Sequence, residues 1–244
     1  MKTASLIAAV ATSACLCAHA DKTEYAFRWN PENGGPATAE EAARILGIND
    51  DKAKKIEVRY LTVKQPAGLP NGNYQAVARE RVDKDGPESM YKVRGPDSKA
   101  GRTVLSMWVC PLSGPALETK FEVDVNWALG EKTRSGDPNE LPTPRTAISF
   151  SCSVGTSANA AFPKATEMSP RSCVNHVRRL KSDDWKIEEW VLPTSALIVE
   201  VSYAVDEGSP SHQKAFQASV DTLLKAGAQP LPDSKTLLGS TCPG

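Results

Sequence analysis

The sequence predicts an α+β protein that is mainly antiparallel β, and three observations carry that reading. Apolar and polar residues alternate at period two in stretch after stretch, the spacing of half-buried strands. Turn signals rich in Gly, Pro, Asn and Asp separate those stretches. Only two segments carry helix signals, Thr38–Gly47 and the run that Ser209-Pro210 opens. The clearest stretch is Trp185–Tyr203, where two Val-, Ile- and Trp-rich runs flank Leu192-Pro193-Thr194-Ser195 and read as a β-hairpin. On its second run Leu197, Val199, Val201 and Tyr203 share one face, and Ile198, Glu200 and Ser202 share the other. An acid inside an apolar strand is costly to bury without a partner. Lys186 and Glu188 on the first run are its candidate companions.

In chain order, Glu24–Trp29 alternates with Glu24, Ala26 and Arg28 on one side, and reads as the first strand. Thr38-Ala39-Glu40-Glu41 forms a capping box, and the short helix it starts ends at Gly47. Lys55–Val63 and Tyr74–Val82 are strands joined through the turn-rich residues Pro66–Asn73, and the second puts Arg79 and Arg81 on a common face. Asp85-Gly86 is a hairpin signal, after which Ser89–Arg94 brings Lys92 and Arg94 together. Arg102–Leu112 reads as a strand carrying Trp108 and Cys110. Lys120–Ala128 has Lys120, Glu122, Asp124 and Asn126 on one side and Phe121, Val123, Val125 and Trp127 on the other. Thr146–Val154 and Cys173–Leu180 are further strands, set apart by the long loops Gly130–Pro144 and Gly155–Pro170. Ser209-Pro210 opens a last helix with Phe216, Val220, Leu223 and Leu224 as its buried stripe, closed by Gly227. The count is about eight or nine strands with two helices in a single domain over residues 21–244, and no repeat or domain linker interrupts it.

Composition sets the outer limits. With 244 residues, 40% hydrophobic and 24% charged, the chain is an ordinary folded protein. Lys2, the apolar run Leu6–Leu16 and the small-x-small site Ala18-His19-Ala20 make residues 1–20 a cleavable signal peptide, so the protein is expected to be exported, periplasmic or extracellular, with no membrane span. Cleavage removes only Lys2 among the charges and leaves 28 basic against 29 acidic residues, a balance that gives no argument for a nucleic-acid partner. Four cysteines remain, Cys110, Cys152, Cys173 and Cys242, which in an oxidising compartment read as two disulfides. The expected pairing is Cys152 with Cys173 across neighbouring strands, leaving Cys110 for Cys242. Cysteine-based metal binding is the weaker reading, because no CxxC occurs and only His176 and His212 accompany the cysteines. No GxSxG, Walker A, GxGxxG or HExxH motif is present. The five tryptophans and the strand residue His176 read as packing and structure rather than chemistry.

Charge placement is the feature that recurs. Arg79 with Arg81, Lys92 with Arg94, Lys120 with Glu122 and Asp124, Lys186 with Glu188, and Glu200 all stand at period-two positions inside strands. Two arrangements are open. The charges form the wet outer face of an open sheet, or the sheet closes and they line its lumen while the apolar faces turn outward under the helices. Arg and Lys converging on one cavity would hold a polyanion, and carboxylates at the same place would call for a bridging divalent cation.

The order of these motifs resembles the CYTH, or triphosphate tunnel metalloenzyme, family, whose members include inorganic triphosphatases, thiamine triphosphatases and a class of adenylate cyclase. The resemblance runs through Tyr60-Leu61, Arg79 and Arg81, Lys92, Glu122 and Asp124, Arg178 or Arg179, Trp185–Trp190 and Glu200, and is closest over residues 177–202. It implies a closed or nearly closed eight-stranded tunnel barrel with two flanking helices. It also implies an anionic small molecule or polyphosphate as ligand, gripped by Arg79, Arg81, Lys92, Arg94, Arg178 and Lys186. Glu24, Glu122, Asp124, Glu188 and Glu200 would hold Mg²⁺ or Mn²⁺, with Glu24 and Glu200 as the catalytic pair. The family's ExExK signature is reduced here to Glu24-Tyr25-Ala26-Phe27-Arg28, and the last strand has Glu200-Val201-Ser202 where two acids are usual. The expected function is therefore an exported binding protein for a phosphorylated or other polyanionic ligand, with a degenerate metal site. The alternatives are an active metal-dependent triphosphatase and a non-catalytic interaction or structural protein.

Overall fold

The structure, a computed structural model, describes residues 22–49, 52–62, 69, 74–114, 116–129, 141–162, 169–170 and 173–242. The expected signal peptide, residues 1–20, and the greater part of the turn at 66–73 and of the loop at 130–144 lie outside the described residues. The elements in order are β1 (Lys22–Trp29), a 3-10 turn (Pro31–Asn33), α1 (Ala39–Leu46), β2 (Lys54–Thr62), β3 (Gln75–Asp83), β4 (Gly86–Pro96) and α2 (Lys99–Ser106). They continue with β5 (Ala116–Ala128), β6 (Thr143–Val154), α3 (Ala158–Ala161), β7 (Ser169–Pro170), β8 (Asn175–Ser182), β9 (Trp185–Val191), β10 (Leu197–Val205), α4 (Pro210–Lys225) and α5 (Lys235–Gly239).

Nine strands close into a ring in the order β3-β4-β6-β5-β1-β10-β9-β8-β2, and β2 pairs with β3 to complete it, while the two-residue β7 only flanks β2. The α+β class and the closed barrel are as predicted, with nine strands in place of eight. One pair, β1 with β5, is parallel, and the others are antiparallel. The parallel pair follows from α2: the chain leaves β4 across the outside of the barrel, so β5 does not pair with β4 and β6 fills the place between them.

Local chemistry accounts for most element boundaries. The Thr38 hydroxyl accepts a bond from the Glu41 amide at 3.2 Å, and Gly47 takes the left-handed conformation (φ 66°) that ends α1. At the β9–β10 hairpin the Leu192 amide donates to the Ala196 carbonyl, with Ser195 at φ 66°. The Ser209 hydroxyl caps α4, accepting from the His212 amide at 3.3 Å, and Gly227 follows its end at φ 94°. The expected strand Arg102–Leu112 is instead the helix α2 followed by extended chain. Ser98 caps the helix by accepting from the Gly101 amide, and Leu105 is buried while Thr103 and Ser106 are exposed, a helical period that the short run Val104-Leu105 hid. The helices α3 and α5, which no sequence signal marked, are also new.

The disulfides join Cys110 to Cys152 and Cys173 to Cys242, which corrects the expected pairing. Cys152 faces outward on β6, where α2 packs and delivers Cys110. Cys173 lies just before β8, and α5 lodges there because the buried Asn175 side-chain amide donates to the Gly239 carbonyl at 2.8 Å. Where the helices dock thus decided the pairing.

Packing sorts the two faces of the sheet. Tyr25, Phe27, Trp29, Val125, Trp127, Val199 and Val201 face outward and are buried under α1 and α4 with Phe216, Val220 and Leu223. A second outer cluster lies under α2 and α3, around Tyr91, Val93, Leu105, Ile148 and Val154. Inside the ring one end is apolar: Ile56, Val58, Tyr60, Val177, Trp190 and Ile198 pack there with Leu231 and Leu238 of the tail. Beyond that end the inward positions are charged.

A charged bore as the candidate functional site

Because β1 turns its aromatic residues outward, period two obliges Glu24, Ala26 and Arg28 to turn in. The same alternation brings Arg79 and Arg81 of β3, Lys92 and Arg94 of β4, Lys120, Glu122 and Asp124 of β5, Ser151 and Ser153 of β6, Glu188 of β9 and Glu200 of β10 to the interior. Of this set, Glu24, Arg79, Arg81, Lys92, Arg94, Lys120, Glu122, Ser151, Ser153 and Glu188 line a cavity of about 250 Å³ together with Lys186 and Lys235. Of the two open arrangements, the sequence adopts the closed one: strand charges scattered over more than a hundred residues share one bore.

Most of these charges are already paired. Lys92 donates to Glu122 and Asp124 at 3.2 Å each, and Arg94 Nε donates to Asp124 at 3.1 Å. Lys186 donates to Glu24 at 2.6 Å. Glu200 accepts from Arg28 Nε at 2.8 Å and from Lys235, and Arg28 also donates to Asn126. Glu188 is saturated: one oxygen takes Arg179 Nε at 2.7 Å, the other takes Lys235 at 2.7 Å and the Trp190 indole at 3.0 Å. Asp124, Glu188 and Glu200 are almost fully buried, so these bonds are short-range and poorly screened. Burial pushes the pKa values of Glu24, Asp124 and Glu188 upward, yet the neighbouring ammonium and guanidinium groups outweigh it and hold all three below their ordinary values. Burial disfavours the charge on Lys235 too, but Glu188, Glu200 and Glu24 raise its pKa.

Arg79 and Arg81 stand apart. Their Nε atoms are buried with no hydrogen-bond partner, and neither guanidinium forms an ion pair among the described residues. Arg81 faces Glu88, and Arg79 faces Met90, across the β3–β4 ladder. On its other side Arg79 faces Tyr60, whose buried hydroxyl also lacks a partner among the described residues. Burial, with the like charges of Arg79 and Arg179, pushes the Arg81 pKa down to about 9, and Glu188 and Glu88 offset this only in part, so the group stays charged at neutral pH without a direct ion pair among the described residues. A buried charge without a partner is strongly destabilising.

Against the sequence expectations, Arg79, Arg81, Lys92, Arg94, Lys186, Glu24, Glu122, Asp124, Glu188 and Glu200 all belong to the bore or its paired wall. Arg178 does not, and this is a correction. It lies on the outer face, where it pairs with Glu40 of α1, and its neighbour Arg179 is the inward residue that holds Glu188. Counting back from a two-residue turn at Asp183-Asp184 pairs Arg179 with Glu188 and would have identified it. Arg28 shares the parity of Glu24 and was equally legible. Lys235 was not, since nothing near it in sequence marks it as a strand-lumen residue. The carboxylates assigned to Mg²⁺ or Mn²⁺ do not fit a divalent ion as they stand. Each is bonded to Lys or Arg, and no group of three or more Asp, Glu, His or Cys is arranged to hold a metal among the described residues. Of the catalytic candidates, Glu200 has both oxygens taken, by Arg28 and Lys235, whereas Glu24 is bound through one oxygen to Lys186.

No protein-family model and no curated protein matches the chain. Among solved structures it is similar to the PH1819 protein from Pyrococcus horikoshii OT3, at 11% identity over 88% of this chain and 97% of that one, with a TM-score of 0.49. A second, the PH1012 protein of the same organism, is 12% identical over 89% of this chain and 98% of that one, with a TM-score of 0.43. A conserved hypothetical protein from Pyrococcus furiosus is 11% identical over 88% and 99%, with a TM-score of 0.40. Likenesses this distant say nothing about activity. Two disulfides suggest a non-cytoplasmic setting, and no helix among the described residues is long and apolar enough to cross a membrane.

Proposed function

We propose that the barrel binds a compact, multiply charged anion, phosphorylated or otherwise polyanionic, with Arg79 and Arg81 as its grips. The observation that carries this reading is the pair of half-buried arginines whose Nε atoms are buried without a partner and which form no ion pair among the described residues, while nearly every other charge around them is matched. Guanidinium forks match phosphate and carboxylate oxygens two at a time. The cavity lining has seven cations against five carboxylates, an excess that a bound anion would neutralise. At about 250 Å³ the cavity is smaller than pockets for drug-sized molecules, which begin near 300 Å³, so the ligand is compact. The CYTH-like order of motifs agrees with a phosphate-bearing ligand. The apparent signal peptide and the disulfides support export to a periplasmic or extracellular setting.

Isothermal titration calorimetry with tripolyphosphate tests it. Binding should occur without divalent metal, weaken as salt rises, and fall at least about tenfold in the Arg79→Ala/Arg81→Ala double variant. Adding Mg²⁺ or Mn²⁺ should leave the protein's share of the affinity unchanged, because each candidate carboxylate already carries a cation. No heat at millimolar tripolyphosphate, or equal heats from wild type and double variant, would remove the reading.

A further inference from the structure

Lys235 reaches the bore from outside the barrel's own strands. It sits near the start of a five-residue helix tethered through Cys242 to Cys173, and its ammonium bridges Glu188 and Glu200 while lying 5.2 Å from the Trp190 ring centre. It contributes no strand, and the carboxylates it joins already have a partner each in Arg179 and Arg28. Its effect lies on the other side of the cavity. Glu188 and Arg81 line the same small cavity and act on each other's charge, yet they form no ion pair, and both Glu188 oxygens are taken.

We propose that Lys235 is a positioning residue for the anion site: by occupying the second oxygen of Glu188 it denies Arg81 an internal partner and keeps that guanidinium available to ligand. This rests on the anion-binding reading. Without Lys235, that Glu188 oxygen keeps only the Trp190 indole, and of the cations that act on Glu188 only Arg81, on the same cavity wall, has no ion pair among the described residues. An Arg81–Glu188 pair would then form and the site would neutralise itself. The tail and its disulfide thereby become part of the binding machinery.

The test uses the full chain with both disulfides intact. Calorimetry with tripolyphosphate compares wild type, Lys235→Met, Lys235→Arg and Lys235→Met/Glu188→Gln. Affinity should fall about tenfold in Lys235→Met, the effect of losing one charge-assisted contact, and stay within about threefold of wild type in Lys235→Arg. It should return in Lys235→Met/Glu188→Gln, which leaves Arg81 no carboxylate at that position. Wild-type affinity in Lys235→Met overturns the proposal. So does a double variant that stays weak, since Lys235 would then touch the anion itself. A readout without ligand separates this from the anion reading: in labelled protein the Arg81 Nε–H resonance should shift and exchange more slowly in Lys235→Met, and revert in the double variant. An unchanged resonance overturns the proposal even where tripolyphosphate binds. If wild type binds no tripolyphosphate, the anion reading fails and the resonance still decides the role of Lys235. Should Lys235→Met not fold, Lys235→Met/Glu200→Gln removes the lysine with one of its carboxylates, leaves Glu188 to compete, and takes its place.

Discussion

Glu188 shows how single residues hold the bore together. Its carboxylate, buried among Arg179, Lys235 and Trp190, has a pKa held well below the ordinary 4.5, and Glu24 and Asp124 are shifted the same way. A carboxylate more acidic in the folded state than in the unfolded one contributes stability that is complete above its ordinary pKa and lost as pH falls through the folded value. Unfolding midpoints in urea should therefore be flat from pH 7 to about 5 and decline steeply below about pH 4. The single variant Glu188→Gln should lose about 3–5 kcal/mol at pH 7, because it strands two buried cations. Its deficit should shrink on acidification, where the wild-type residue also becomes neutral. A constant gap across that range would show that Glu188 is not ionised in the folded protein.

At the scale of elements, burial under the helices has the larger energies. Phe216 of α4 is in contact range of Tyr25, Trp127 and Trp185, with ring centres 5.0–5.9 Å apart. Phe216→Ala should reduce stability by about 3–5 kcal/mol in chemical denaturation, and Ser209→Ala, which removes the α4 cap, by about 1 kcal/mol. All nine of the ring's strands and both expected helices were legible, because alternation and caps are local. The strand proposed at Arg102–Leu112 was not, since an eight-residue helix with a single buried Leu carries too short a pattern to outvote its β-branched neighbours. On β8 the choice between Arg178 and Arg179 could not be read from alternation alone: Val177 faces the bore and Leu180 the outer core, so both faces look apolar. Only pairing with β9 separates them.

For the whole molecule, the disulfides are the cross-links that tie added parts to the barrel. Cys110–Cys152 spans 42 residues and Cys173–Cys242 spans 69, for which loop-closure entropy gives about 4 kcal/mol each. Cys173→Ser/Cys242→Ser should lower the urea midpoint accordingly, and it should also weaken tripolyphosphate binding by loosening the segment that carries Lys235. Unaltered binding in that variant would mean that the apolar contacts of Leu231 and Leu238 are enough to seat the tail. Sequence alone determined a set of strands with their charges on one side of each, because period two is a property of the strand itself; that they close into a ring was decided by the tertiary pairing. Tertiary structure alone decided which charges answer each other, which cysteines meet, and that a lysine from the tail completes the bore. Those relations depend on the order of strands around the ring and on where the tail docks, and neither is encoded within any one stretch of chain.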